Sequence, residues 1–526
     1  MQNNDIQIRQ QTINDTLWRA CDTFRGTIGS DQYKDYLLVM LFIKYISDVY
    51  KEHLDEYTKK YNGDKVRIER QLRNERFILD EECKFDYLYQ NRNKDNVGEI
   101  INKALAKLSD NNSKLRGVFE DVDYNNAYKL GNTKERNSLL KRLLEDFNTD
   151  VLDLRPSRIG NEDVIGNAYE YLIGKFASDA GKKGGEFFTP AEVSVILAKL
   201  VKPRPNDRIY DPTCGSGSLL LKAAKEAGTN KVALYGQEKT YQTYSLCRMN
   251  MFLHGVDDAE IERGDTLTNP LHLENDQLKK FQVVVANPPF SLDKWAKGFD
   301  SASGSTETAS DGKTKDKFKM EANLDPYRRF DWGVPPSSKG DYAFVLHMIH
   351  SMAEDDGRMA VVLPHGVLFR GASEGLLRRR MIEEENLIDA VIGLPENLFF
   401  GTGIPACILV LKKNRGRNTI LFIDAAQDTA GYDKDKNQNR LNAQGIKRII
   451  ETYGSYQEVE KYSHIATVEE LKENDFNLNI PRYVDTFEEE ALVDIETVKK
   501  NMETIEAELK EVQVKMVTYL KDLGLN

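Results

Sequence analysis

Three patterns of apolar spacing succeed one another along the chain. Up to about residue 155, apolar positions recur at helical spacing. Tyr36, Leu37, Met40, Leu41, Ile43 and Tyr45 fit a buried helix, and Leu139, Leu140, Leu143, Leu144 and Phe147 repeat in steps of three and four. Glycine and proline are sparse there and no strand run stands out, which predicts a helical N-terminal domain over 1–155. After Pro156, short apolar runs alternate with helical stretches, at 208–210, 232–235, 282–286, 359–363, 390–392 and 407–411. This alternation predicts an α/β domain over 156–485, built on a mainly parallel sheet with both faces covered. Between about 294 and 339 large aliphatic residues nearly vanish, and the stretch 300–319 is rich in Ser, Thr, Gly and Lys. Such a segment buries little and reads as a flexible loop. Over 486–526, Ile495, Val498, Met502, Ile505, Leu509, Val512, Met516, Tyr519 and Leu523 take the a/d spacing of about four heptads, which predicts a long helix for subunit association.

Composition narrows the class. The 526 residues are 40% hydrophobic and 30% charged, the balance of a soluble globular chain. The net charge of −11 excludes a protein drawn onto DNA or an anionic membrane by its overall charge. Handling nucleic acid would then require a local basic surface or a basic partner. Candidate clusters are Lys313/Lys315/Lys317/Lys319, Arg328-Arg329 and Arg378-Arg379-Arg380. Five cysteines, odd in number and never spaced as C-x-x-C, predict neither a disulfide framework nor a zinc site. The N-terminus is too polar for a signal peptide, and no apolar run approaches the roughly 20 residues of a membrane span. A cytoplasmic location without a membrane partner is expected.

Three motifs carry candidate chemistry. The first, Asp211-Pro212-Thr213-Cys214-Gly215-Ser216-Gly217-Ser218, follows a strand run and precedes a helix. Small residues there let the backbone turn sharply and approach a ligand. The spacing is neither G-x-G-x-x-G nor a P-loop. The second is Glu238, after the next strand run, where a carboxylate can accept from a pair of ribose hydroxyls. Asp265, in Gly264-Asp265-Thr266, ends the following β-type segment and can accept from an adenine amino group or cap a turn. The third, Asn287-Pro288-Pro289-Phe290, follows the run 282–286. Two prolines stop strand and helix alike and stiffen the loop. The Asn287 side-chain oxygen and the Pro288 carbonyl are both acceptors and can converge on one planar amine. Phe290 offers a flat face for a base.

In this order the motifs resemble the amino-methyltransferases that use S-adenosylmethionine. Gly185-Glu186-Phe187-Phe188-Thr189-Pro190, upstream of the glycine loop, is similar to their additional cofactor motif. The arrangement resembles the adenine-N6 DNA methyltransferases, and more narrowly the methylase subunit of type I restriction–modification systems. Trp18 through Asp48, Glu170-Tyr171-Leu172, Gly340-Asp341-Tyr342-Ala343-Phe344, the segments 363–371 and 394–407, residues 479–484 and the final helix all share the likeness.

The resemblance implies a Rossmann-like domain and S-adenosylmethionine as cofactor. It places cofactor contacts at Glu186, Phe187, Phe188, Thr189, Pro190, Asp211, Gly215, Ser216, Gly217, Ser218, Glu238 and Asp265, and a target-amine site at Asn287, Pro288, Pro289 and Phe290. No metal is required. Implied partners are double-stranded DNA, a specificity subunit and a second methylase subunit; whether a restriction subunit is also present stays open. Two alternatives remain: methylation of a protein glutamine or an RNA base, and a non-catalytic assembly subunit. His365, in the Leu-Pro-His-Gly segment, reads as structural.

Overall fold

Nine strands form one sheet: β1 (Arg208–Asp211), β2 (Ala233–Glu238), β3 (Glu260–Arg263), β4 (Val283–Ala286), β5 (Arg358–Pro364), β6 (Ile388–Gly393), β7 (Ala406–Lys412), β8 (Ile420–Asp424) and β9 (Ser463–Ala466), in the order β9-β8-β6-β7-β5-β4-β1-β2-β3. The computed structural model describes residues 2–25, 29–160, 163–180, 188–229, 231–299, 306–308, 314–316, 320–400, 402–435, 438–486 and 495–523. Strands β1 to β6 and β8 run one way, and β7 and β9 run against them. The reversal at β7 has a local cause. The described residues of the link from β6 to β7, 394–400 and 402–405, carry no helix to return the chain to the other end of the sheet. β4, β5 and β6 are buried along their whole lengths, as expected for strands covered on both faces.

The main helices, in chain order, are α1 (Gln2–Ala20), α2 (Ser30–Lys60), α3 (Val97–Asn111), α4 (Thr133–Phe147), α5 (Asp163–Ala180), α6 (Ala191–Val201), α7 (Ser218–Glu226), α8 (Tyr241–Leu253), α9 (Asp341–Ser351), α10 (Ala372–Glu383), α11 (Ala443–Ser455) and α12 (Ile495–Asp522). The first four lie in the helical N-terminal region. The start of α4 shows why the chain turns helical there: Asn132 and Glu135 form a reciprocal capping box. The change of pattern near residue 155 is no break in packing. One apolar core runs from Ile13 through α2, α3 and α4 into α5, and takes in Leu246, Met249, Phe252 and Leu253 of α8. Residues 1–484 form one compact unit, and the second unit, 485–526, contains α12. On α12, Val498, Met502, Ile505, Leu509, Val512, Met516 and Tyr519 are all exposed.

Two expectations need correction. The ends of the 294–339 segment are packed, not loose: Trp295 and Phe330 are buried against each other, and Trp295 Nε1 donates to the Pro336 carbonyl at 2.8 Å. The aromatic residues that anchor this segment are few among many polar ones, so composition alone missed them. The arginine clusters are not free surface charge either. Arg329 is 0% exposed and paired with Asp325, and Arg378 is buried on the carbonyls of Val367 and Phe476. Arg328, Arg379 and Arg380 pair with Asp331, Glu383 and Glu384. Lys313, Lys317 and Lys319 lie outside the described residues, as does the side chain of Lys315.

Candidate active site

In an open α/β sheet a ligand crevice forms where neighbouring strands send their connections in opposite directions. Here the chain steps outward from β1 to β2 and β3, then returns to the other side of β1 with β4. The crevice therefore opens beyond the carboxyl ends of β1 and β4. The glycine loop follows the first of these strands and Asn287-Pro288-Pro289-Phe290 follows the second.

The glycine loop is shaped by its glycines and held by its neighbours. Gly217 sits at φ +79, and a Cβ there would lie 2.5 Å from Met251 Cε and 2.8 Å from Cys247 Sγ. Both the dihedral and the space demand glycine. Asn250 Nδ2 donates to the Ser216 carbonyl at 2.9 Å, and Thr266 Oγ1 donates to the Pro212 carbonyl. At the end of β2, Glu238 accepts from the Gly215 amide at 3.1 Å and the Thr240 amide at 2.8 Å. Burial pushes its carboxyl up, and these amides pull it back. Each carboxylate oxygen retains a second acceptor position for a ligand.

Asp211 ends β1 at 2% exposure and accepts from the Thr213 amide at 2.9 Å. Burial pushes its carboxyl up to about 8, beyond what the Thr213 amide can offset. The native chain therefore holds a proton that the unfolded chain has released between about pH 4 and 8, so this group's stabilisation fades as pH rises through that window. Asp211→Asn should gain little stability over the wild type near pH 4.5 and much more near pH 8.5. Thermal unfolding at both values checks this; a difference that ignores pH would contradict it.

A small cavity gathers seven of the expected positions: Phe188 and Thr189, Asp211, then Gly215, Ser216 and Ser218, and Asn287. Asn287 Nδ2 donates to Thr189 Oγ1 at 3.0 Å, which joins the upstream motif to the loop after β4. Its Oδ1 is buried without a partner. Phe290 meets Phe399 edge-on at 5.7 Å. Glu186 and Phe187 lie outside the described residues. Asp265 is less free than expected: it pairs with Lys239 at 2.8 Å and caps the Leu267 amide. His365 Nε2 donates to the Ala406 carbonyl at 3.0 Å.

Some of the supporting residues had no sequence signal. Arg329 bonds both oxygens of Asp325, the carbonyls of Thr266 and Leu267, and Nδ1 of His347. Burial and this guanidinium keep His347 neutral, with Nε2 bonded to Tyr210 Oη at 3.0 Å. The network moors the loop that carries Asp265 to β1. A larger cavity, about 520 Å³, shares Phe188, Thr189 and Ser218 with the first and reaches the Glu170–Lys222 ion pair.

Comparison with known proteins gives the family. Residues 160–491 match the model of the N-6 DNA methylases, and residues 13–147 match the HsdM N-terminal domain. The chain is 31% identical to the type I restriction enzyme MpnII methylase subunit of Mycoplasma pneumoniae, over 98% of this chain and 96% of that one. It is 32% identical to the MjaVIII methylase subunit of Methanocaldococcus jannaschii, over 93% of this chain and 81% of that one. The crystal structure of a type I restriction–modification methyltransferase subunit from Streptococcus thermophilus matches with a TM-score of 0.75 at 34% identity, covering 91% of this chain and all of that one. With the glycine loop and the Asn-Pro-Pro-Phe turn facing each other across the crevice, the chain belongs to the N-6 DNA methylases, among the methylase subunits of type I restriction enzymes.

Proposed function

We propose that this subunit transfers a methyl group from S-adenosylmethionine to N6 of adenine in double-stranded DNA, at a sequence chosen by a separate specificity subunit. One observation carries the reading: the Asn287 amide nitrogen is engaged by Thr189, while its oxygen is buried and unpartnered. An orphaned buried acceptor costs about 1–3 kcal/mol unless something donates to it. The exocyclic amine of adenine has the N–H groups to do so.

The cavity residues fit the cofactor. Outside the cavity lining, Glu238 has acceptor capacity for ribose hydroxyls, and the small cavity runs along Gly215 and Ser216 of the glycine loop. When bound, S-adenosylmethionine supplies a methyl group on a positively charged sulfur, already a good leaving group. The chain's own work is alignment. Asn287 Oδ1 and the Pro288 carbonyl accept the N–H groups of the target amine, draw its lone pair out of conjugation, and stabilise the charge that develops on nitrogen. Phe290 stacks against the base, which must leave the duplex to arrive there.

The charge distribution favours a partner for sequence reading. Net charge is −11, and the arginine clusters are paired or buried. The exposed apolar stripe of α12 supports association with a specificity subunit or a second methylase subunit. The test is transfer from labelled S-adenosylmethionine to unmethylated DNA, with the chain alone and with its specificity subunit. N6-methyladenine is expected only with the partner. The same product from the chain alone would move target reading into this sequence. No methylated base, with cofactor binding intact, would shift the weight to a non-DNA substrate or a scaffold.

A further inference from the structure

The Asn-Pro-Pro-Phe turn has one soft end. Upstream it is fixed by β4, and Pro288 and Pro289 lock their own φ angles. Downstream comes Ser291, at φ +53, a conformation that a non-glycine residue keeps only when its surroundings hold it there. The holding group is Asp341, first residue of α9 and 1% exposed. Its Oδ1 accepts from the Ser291 amide at 2.7 Å. Its Oδ2 accepts from Arg370 Nη2 at 2.6 Å, and Arg370 in turn binds the buried Glu374 through Nε at 2.5 Å. Packing leaves no slack between these parts. Gly340 donates to the Leu292 carbonyl at 3.0 Å, and a Cβ on Gly340 would meet Trp295 Cβ at 3.0 Å. Three separate stretches of sequence thus converge on one amide, four residues after Asn287.

We propose that Asp341, steadied by Arg370 and Glu374, is a positioning residue for the target amine: through the Ser291 amide it sets the angle at which Asn287 and Pro288 meet the reacting nitrogen. This rests on the reading of Asn287 given above. Asp341 lines neither of the two cavities described above; its effect passes through the backbone. A small tilt of the turn leaves the cavity intact but misdirects both acceptors, and misplacement of about 1 Å can cost on the order of 100-fold in rate.

Two near-isosteric variants separate this role from a purely structural ion pair. Asp341→Asn keeps an oxygen for the Ser291 amide and gives up the charge pair with Arg370. Asp341→Glu keeps the charge and moves the acceptor by one methylene. Methylation kinetics are measured on the full complex with its specificity subunit, alongside cofactor affinity and thermal unfolding. The expected result is that Asp341→Glu loses roughly 10- to 100-fold in kcat with cofactor affinity unchanged, while Asp341→Asn keeps most of the rate. A structural ion pair gives the reverse order. That reverse order, an unaffected Asp341→Glu, or a loss of cofactor affinity in step with kcat would each overturn the proposal. A wild-type complex that makes no N6-methyladenine would instead sink the functional reading on which it stands.

Discussion

Asn287→Ala should lower the methyl-transfer rate on the order of 100- to 1000-fold while cofactor affinity stays close to that of the wild type. The size follows from what is lost. Removing one preorganised hydrogen-bonding group that acts on developing charge costs about that much in other enzymes. The selectivity follows from position. Asn287 lies after β4, whereas Glu238, the acceptor proposed for the ribose, ends β2, on the far side of β1. Asn287→Asp should retain more activity than alanine, because it keeps an acceptor where Oδ1 now sits. Thr189→Val should fall between them: it leaves Asn287 in place but releases the Nδ2 contact that aims it. Steady-state kinetics with the specificity subunit, paired with cofactor titration, test the series. An alanine variant with full activity would remove Asn287 from the site.

The largest expected effect on stability is at Asp325. Its carboxylate and the Arg329 guanidinium are both wholly buried, with contacts at 2.7 and 3.0 Å. Removing one partner of a buried pair leaves a charge without compensation, which costs about 3–5 kcal/mol. Asp325→Ala should lose that much in denaturant unfolding. The double change Asp325→Ala/Arg329→Met, which removes both charges along with their desolvation, should lose less, although it gives up the bonds to Thr266, Leu267 and His347. Both changes would loosen the loop that carries Asp265, so cofactor affinity should fall with stability. An Asp325→Ala change below about 1 kcal/mol would mean that the carbonyl groups alone satisfy Arg329.

Much of this architecture was legible in the chain, for reasons that differ by element. Strands buried on both faces read as continuous apolar runs, and β1, β2, β4, β5, β6 and β7 all lie over such runs. β9, Ser463-His464-Ile465-Ala466, is a short edge strand with mixed exposure and carries no such signal. β8, Ile420-Leu421-Phe422-Ile423-Asp424, is as apolar as its neighbours and carries the same signal, although the runs named above do not include it. The Asn-Pro-Pro-Phe turn and the glycine loop announce themselves because their chemistry is local in sequence. Arg329, Asn250 and Asp341 do not. Each acts on atoms 34 to 63 positions away, and nothing in local spacing marks such a partner. Burial also inverted one expectation, since a run of arginines says nothing about which member points inward.

The core shared by the helical region and α8 bears on how such proteins can be recombined. Phe252 of α8 packs edge-on against Phe77 at 5.6 Å and lies near Phe42. Tyr241, at the start of the same helix, donates to the Gly117 carbonyl and accepts from the Glu120 amide. A crossover between two relatives placed where the sequence pattern changes, near residue 155, would therefore join halves of one hydrophobic interior drawn from different parents. Crossovers beyond residue 253 would inherit that interior whole. Exchange within this lineage should accordingly move the N-terminal helices together with the first two strands and helix α8, as a single heritable block.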